Sequence, residues 1–456
     1  MKSHAYKDKE IAIFGLGKSG LATASRLHEG QARVAVWDDQ EGRREEAASK
    51  GVPVADYRDK DWSKLEALVL SPGVPLTHPE PHEVVKKAQN SNIPVVGDVE
   101  IFLNEKTDGK IVGITGTNGK STTSALIHHI LEANEQETAL GGNIGTPVMD
   151  LEQLSGEGTY ILELSSYQLD LTPSWHANIA VILNVTPDHL DRHGDLEHYA
   201  EVKERIFQKQ TASDVAVINS DDPICQKMAE KILKLNPQKV VPISVEKELQ
   251  AGVFVLNGIL HDRSQPGLDW QLDIGEIESL RGIHNWQNAA AAVAVCRALG
   301  LANEQIEQGL KSFGGLAHRM ELILKDGKIR FVNDSKGTNA EATEKALASF
   351  ETIFWICGGV SKAGGIEPLR PLFNRVKHAF LIGKAADEFS KSLKGTVPFH
   401  VSETLQQAVL EAKKAAEASG EDCVVLLSPA AASFDQFPSF EARGEAFRSL
   451  VLEGRE

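Results

Sequence analysis

Glycines at positions 113, 116 and 119, followed by Lys120, Ser121, Thr122 and Thr123, form the chain's densest candidate for chemistry. An apolar run at 110–114 leads in, and a helix-like run at 123–131 leads out. Strand, glycine-rich turn, Lys-Ser and helix make up a phosphate cradle. Glycine lets backbone N–H groups approach an anion, and a helix N-terminus adds partial positive charge. Lys120 would reach the outer phosphates, and the Ser121 or Thr122 hydroxyl would ligate Mg²⁺. The spacing departs from the common phosphate-loop pattern: five residues separate Gly113 from Gly119, and Ile114 stands where that pattern has glycine. A glycine-rich turn without a ligand is the plain alternative.

Other candidates also follow apolar runs. Gly15, Gly17 and Gly20 make a G-x-G-x-x-G turn, and Asp38 or Asp39 lies at the spacing of a ribose-binding acid. This turn suits a dinucleotide, another nucleotide diphosphate, or no ligand at all. Ser71, Pro72 and Gly73 form a second loop that could wrap the same ligand. Glu163 ends a buried run and is a natural Mg²⁺ ligand or water anchor; the alternatives are a helix cap or a surface charge. Asp188, His189, Asp191, Arg192 and His193 crowd six positions, with His189 suited to a metal or a substrate. Lys203, by its surroundings alone, reads as a solvated helix lysine. Asn285 and Asn288 could hold a base, ribose or phosphate, or Asn285 could cap a helix. Arg319, beside His318, could clamp phosphates. Asp334, Lys336 and Thr338 crowd one turn with both charge signs, suited to a zwitterion beside a nucleotide. Lys362 among glycines and Ser433 before Phe440 offer further polar loops.

These residues need strands and helices to position them. Strand-like runs fall at 11–14, 34–37, 68–70, 94–96, 111–114, 160–164, 180–184 and 215–218, then at 329–332, 352–357, 379–382 and 423–427. Helical stretches such as 198–207 and 402–418 alternate with them. This predicts α/β architecture with mostly parallel sheets and sites at strand carboxyl ends. Three blocks are expected: 1–98 with its own βαβ start, 99–314 with the phosphate loop, and 315–456 with at least four strands. A less regular part at 240–281 carries short β-like pieces and turns at Asn257-Gly258 and Pro266-Gly267. The length of 456 residues exceeds one ordinary core, and 41% hydrophobic with 25% charged residues is a globular composition. A net charge of −16 argues against nucleic acid as a general partner, though not against a nucleotide. No run is long enough to span a bilayer, and the N-terminus lacks an apolar leader core. Four scattered cysteines without a CxxC pair read as reduced, buried residues of a cytoplasmic protein.

In this order, the motifs resemble the Mur ligases, ATP-dependent amide-bond-forming enzymes of peptidoglycan assembly. The shared core is 116–122, Glu163, 184–189, Lys203, His284-Asn285 and His318-Arg319, which folylpolyglutamate synthases also carry. The segments 163–169, 333–339 and 428–437 look like those of members that add D-glutamate. The resemblance implies three domains: a Rossmann-like N-terminal domain for the UDP-sugar, a central P-loop ATPase-like α/β domain, and a Rossmann-like C-terminal domain for D-glutamate and closure over ATP. It implies that UDP-N-acetylmuramoyl-L-alanine is activated as an acyl phosphate and captured by D-glutamate. Gly116, Thr117, Asn118, Gly119, Lys120, Ser121, Thr122, Asn285, Asn288, Arg319 and Asp334 would then bind ATP. Lys18, Ser19, Ser71, Gly73 and Asn143 would contact the UDP-sugar. Lys336, Thr338, Lys362, Ser433 and the Phe440 backbone would hold D-glutamate. Lys120, Glu163, His189 and Lys203 would be catalytic. Ser121, Glu163, His189 and Lys203, the last as a carbamate, would serve two Mg²⁺ ions. A cytoplasmic monomer is implied. One departure stands out: Asp38-Asp39-Gln40 occupies the place where some members carry a basic residue.

Overall fold

The computed structural model describes residues 5–105, 108–235, 238–362 and 364–453. The chain divides into two compact units, Met1–Phe313 and Gly314–Glu456. A cut near residue 98 falls between two sheets of the first unit.

The first sheet holds β1 (Glu10–Phe14), β2 (Arg33–Trp37), β3 (Leu65–Leu70) and β4 (Val95–Val96), in the order β2-β1-β3-β4 with parallel pairings. Its strands are buried on both faces, which suits continuous runs such as Ile11 to Phe14. The order reverses between β1 and β3, so the loops after these two strands flank a crevice. Those loops carry Gly15–Gly20 and Ser71–Gly73.

The second sheet has nine strands: β5 (Lys110–Thr115), β6 (Thr138–Gly142), β7 (Thr159–Glu163), β8 (Ile179–Ile182), β9 (Val215–Asn219), β10 (Lys239–Ser244), β11 (Gly252–Leu256), β12 (Ile259–Arg263) and β13 (Trp270–Asp273). Their order is β13-β12-β11-β10-β9-β8-β5-β7-β6. Chain order reverses around β5, so the loops after β5, β7 and β8 meet at one edge. The irregular stretch expected at 240–281 is an antiparallel extension, β11-β12-β13. Asn257 and Gly258 turn the first hairpin with φ of 52° and 83°, as a two-residue I′ turn requires. Helices Lys120–Ala133 and Ile283–Ala298 cover one face, the latter with Ala289 to Cys296 fully buried. Gly309 of helix Asn303–Ser312 lies on this layer, where an added Cβ would come within 2.8 Å of Ile130.

The second unit's sheet holds β14 (Glu321–Asp326), β15 (Ile329–Asn333), β16 (Ile353–Gly358), β17 (Val376–Ile382), β18 (Phe399–Glu403) and β19 (Cys423–Leu427), ordered β14-β15-β19-β16-β17-β18. Only β14 runs antiparallel, as a hairpin with β15. The helix expected at 402–418 begins later, at Leu405, because Thr404 caps it by accepting the Gln407 N–H at 3.3 Å. Ser402 and Glu403 end the preceding strand instead.

Candidate active site

The phosphate loop is built by conformation. Gly116 and Gly119 hold φ of 151° and 86°, and Gly119 caps helix Lys120–Ala133. A Cβ on Gly119 would stand 2.5 Å from Asn288 Oδ1. The loop is also sewn to the segment after β8. Thr117 N–H donates to Asn184 O (2.9 Å), Asn118 N–H donates to Asn184 Oδ1 (2.8 Å), and Asn184 Nδ2 returns a bond to Asn118 O (3.2 Å). Thr186 N–H donates to Thr117 Oγ1 at 3.0 Å. Lys120 Nζ folds over the loop, donating to Gly116 O (2.8 Å) and Thr117 O (2.9 Å). Thr122 is buried in the helix's first turn beside half-buried Ser121.

Glu163 ends β7 fully buried. Its Oε1 accepts from Asn143 Nδ2 at 2.8 Å, while Oε2 is buried without a hydrogen-bond partner. An orphaned carboxylate oxygen beside a phosphate loop fits a Mg²⁺ ligand, since Mg²⁺ takes one or two carboxylates together with substrate phosphates. Among the described residues no three His, Cys, Asp or Glu side chains form a metal cluster. Lys203 is only 1% exposed, yet its Nζ reaches a carbonyl and a ring: it donates to Gly116 O at 2.9 Å and lies 4.7 Å from the Tyr199 ring centre. Burial, reinforced by the charge of Lys120, lowers its pKa to about 7 against the pull of Asp188, Cys225 and Glu163. The amine is therefore partly neutral at ordinary pH, the form that reacts with CO₂.

His189 opens helix Leu190–His193 with a φ of 54°, pairs with Asp188 Oδ2 at 3.3 Å, and leans on the Tyr167 ring at 5.1 Å. His193 is buried, bonds Ser166 Oγ at 2.9 Å, and is driven down to about 4 by desolvation, so it is neutral. Asn288 accepts from Thr123 Oγ1 at 3.2 Å, and its Nδ2 donates to Asn285 Oδ1 at 3.4 Å. The cap of helix Ile283–Ala298 is Gly282, so Asn285 does not serve as the N-cap.

On the first sheet, Asp38 is buried: Oδ2 accepts Leu16 N–H (2.7 Å) and Oδ1 accepts Gln40 N–H (2.9 Å). It braces the glycine turn from within. Lys18 Nζ donates to Gly145 O at 2.8 Å, reaching the loop that carries Asn143. Ser71 packs against the turn, where a Cβ on Gly15 would come 2.5 Å from Ser71 Cβ. The cleft along helix Lys18–Glu29, about 580 Å³, is lined by Gly17, Lys18, Arg26 and Arg43 but not by Ser19, Ser71, Gly73 or Asn143.

In the second unit, three strand-end loops are held together by Arg443, a side chain 1% exposed. It donates through Nε to Ser335 Oγ (3.0 Å), through Nη2 to Ser335 O (2.9 Å) and through Nη1 to Ala431 O (3.1 Å). Ser335 Oγ in turn donates to Phe440 O at 2.8 Å. These bonds bring the Lys336–Thr338 turn beside the Ser433 and Phe440 loop, and the Val360–Ala432 bridge adds the segment that precedes exposed Lys362. Lys336 Nζ lies 5.5 Å from the Phe440 ring centre. Asp334 is buried, accepting Ser428 Oγ–H at 2.7 Å and Met320 N–H at 3.3 Å, and burial raises its pKa to about 7. Half-buried Arg319 is one of the charges opposing that rise.

Comparison with known proteins supplies the family. Residues 9–97 match the Mur ligase MurD-like N-terminal domain, 114–296 the Mur ligase middle domain, and 318–430 the Mur ligase glutamate ligase domain. The chain belongs to the Mur ligase family. This Mur ligase is 50% identical over 452 residues to UDP-N-acetylmuramoylalanine–D-glutamate ligase of Caulobacter vibrioides, covering 98% of this chain and 96% of that one. The same enzyme of Brucella abortus is 50% identical over 454 residues, with the same coverage. Among solved structures, UDP-N-acetylmuramate-alanine ligase of Thermotoga maritima shares the fold at 17% identity, with a TM-score of 0.56 over 98% of this chain and 100% of that one. UDP-N-acetylmuramoyl-L-alanyl-D-glutamate–2,6-diaminopimelate ligase does so at 19% identity and a TM-score of 0.59, over 87% of this chain and 94% of that one.

The structure of this Mur ligase gathers Gly116–Thr122, Asn143, Glu163, Lys203 and Asn288 around the phosphate loop. Ser71 lies beside the glycine turn of the first sheet, and Ser335, Lys336 and Phe440 meet in the second unit. Arg443 was not singled out from sequence; Arg192 stood only as one charge of the 188–193 cluster and Asn184 only as the start of the 184–189 segment, neither with a role of its own. Each acts largely through backbone groups far away in the chain, which leave no local signal in the sequence.

Proposed function

We propose that the chain ligates D-glutamate to UDP-N-acetylmuramoyl-L-alanine, driven by ATP, in cytoplasmic peptidoglycan precursor synthesis. The observation carrying this reading is full-length, 50% identity to proteins named for that ligation. The site chemistry supports it. The muramoyl-alanine carboxylate attacks the ATP γ-phosphorus, ADP leaves, and an acyl phosphate remains. The neutral amine of D-glutamate then attacks the acyl carbon, loses a proton, and phosphate departs from the tetrahedral intermediate.

Gly116 through Thr122 would cradle the phosphates with backbone N–H groups, and Lys120 would bring positive charge to the developing phosphoryl anion. Mg²⁺, held by Ser121, Glu163, His189 and a carbamylated Lys203, would neutralise phosphate charge. Neutral Lys203 is suited to carbamylation, which would convert a buried amine into a carboxylate-like ligand. Asn285 and Asn288 would contact the nucleotide from the first unit. Lys18, Ser19, Ser71, Gly73 and Asn143 would hold the UDP-sugar. In the second unit, Arg319 and Asp334 would contact nucleotide, and Lys336, Thr338, Lys362, Ser433 and the Phe440 backbone would hold D-glutamate. No described helix is long and apolar enough to cross a membrane, and we take the enzyme to act as a monomer.

Phosphate release from Mg-ATP tests this reading. Release requiring both UDP-N-acetylmuramoyl-L-alanine and D-glutamate, but not L-glutamate, L-alanine or L-lysine, is expected. Release with another amino acid would keep the ligase and overturn the acceptor. Release with no amino acid would leave a simple ATPase.

A further inference from the structure

Arg192 has none of the roles above, yet it is bound from several directions. Its Nη1 donates to Gly73 O at 3.0 Å and its Nη2 to Val74 O at 2.9 Å. Its guanidinium carbon lies 4.8 Å from the Tyr167 ring centre, and that ring stacks on His193 at 5.3 Å and leans on His189 at 5.1 Å. Arg192 N–H and His193 N–H both donate to His189 O, at 3.0 and 3.1 Å, so His189 and Arg192 share one helical turn. Gly194 ends that turn with φ of 87°, and an added Cβ there would stand 3.0 Å from His78 Nε2, on the segment that continues from Val74.

A guanidinium that spans two consecutive carbonyls fixes the planes of both peptides, which a single ammonium cannot do. Val74 N–H returns to Ser71 O at 2.9 Å and closes the turn. The Ser71–Val74 turn of the first sheet is thus clamped to the His189 turn that follows β8, with the Tyr167 ring as the platform between them. The cavity beside the clamp, lined by Pro72, Val74, Tyr167, Arg192 and His193, holds only about 10 Å³. It is too small for a ligand, and both Nη groups of the arginine are spent on protein carbonyls, while its Nε is buried without a hydrogen-bond partner.

We propose that Arg192 is a positioning residue that sets the register between the sugar-nucleotide loop and the His189 segment. The inference rests on the ligase reading above. A misregistered loop would bind the UDP-sugar less well and present its carboxylate out of line, while the phosphate loop, which bonds to Asn184 rather than to Arg192, would keep its affinity for ATP.

The test is steady-state kinetics of full-length Arg192→Lys and Arg192→Ala beside the wild type, varying each substrate. Loss of a charge-assisted two-carbonyl clamp predicts a KM for UDP-N-acetylmuramoyl-L-alanine raised about 10–100-fold and a lowered kcat, with the KM for ATP unmoved. Millimolar guanidinium should partly restore Arg192→Ala. A wild-type UDP-sugar KM in both variants overturns the proposal and leaves the ligase reading standing. Parallel rises in both KM values, with a lower melting temperature and no guanidinium rescue, overturn it in favour of simple packing. Absence of UDP-sugar-dependent turnover in the wild type removes the ligase reading, and this one with it.

Discussion

Asp334→Asn should stabilise the second unit at neutral pH, by an amount that grows with pH. Asp334 is 5% exposed, and its pKa is raised from 3.8 to about 7, chiefly by burial. A carboxyl whose folded pKa lies above its unfolded value favours folding fully below about 3.8, and that contribution is lost as pH rises through about 7. The interval corresponds to roughly 4 kcal/mol, about 3 of it between pH 5 and pH 8. Asparagine keeps the shape and the bonds: its carbonyl can accept from Met320 N–H and its amide can donate to Ser428 Oγ. It carries no charge at any of these pH values. The stability difference, variant minus wild type, should therefore rise by about 3 kcal/mol from pH 5 to pH 8, a melting shift of roughly 6–12 °C for a unit of this size. Paired urea and thermal unfolding of the two full-length proteins at pH 5, 6, 7 and 8 reads this directly. Parallel pH profiles would refute the reasoning, because they would mean that the folded carboxyl titrates as it does unfolded. Under the proposed function the same substitution lowers turnover, a trade of activity for stability.

Lys120→Ala should lower turnover by several orders of magnitude yet leave UDP-sugar binding by calorimetry measurable; lost UDP-sugar affinity would contradict the assignment. Because Lys203 titrates near 7, activity in CO₂-depleted buffer should fall and recover with bicarbonate above that pH, and ¹³C-labelled CO₂ should give a carbamate signal absent in Lys203→Ala. Short carboxylates should partly rescue that variant; no recovery would weaken the carbamate reading. Gly119→Ala forces a Cβ to 2.5 Å from Asn288 Oδ1 at a φ of 86°; a loss of about 1–3 kcal/mol in ATP affinity is expected by titration.

The phosphate loop was legible because its chemistry dictates its composition: only glycine tolerates the φ of 151° and 86° at Gly116 and Gly119. Buried parallel strands were legible as apolar runs for the same kind of reason. β6 was not, since Thr138–Gly142 has two glycines and gains its conformation from pairing with β7. Lys203 looked like a surface lysine in sequence because nothing local shows that Gly116 and Tyr199 enclose it. Asp38 looked like a ribose acid, and its spacing was right, but its oxygens are engaged by Leu16 and Gln40 N–H groups. Arg443 escaped notice, and Arg192 was legible only as one charge in a polar cluster, because most of their partners are distant backbone carbonyls, which carry no sequence signature.

Asn184 exchanges both its side-chain groups with Asn118 and gives its carbonyl to Thr117. One residue therefore sets the shape of the nucleotide loop and begins the segment that delivers His189. For an antibacterial compound seated against that loop, escape by altering Asn184 would disturb both halves of the chemistry at once. Such a contact is one where resistance and fitness oppose each other by construction.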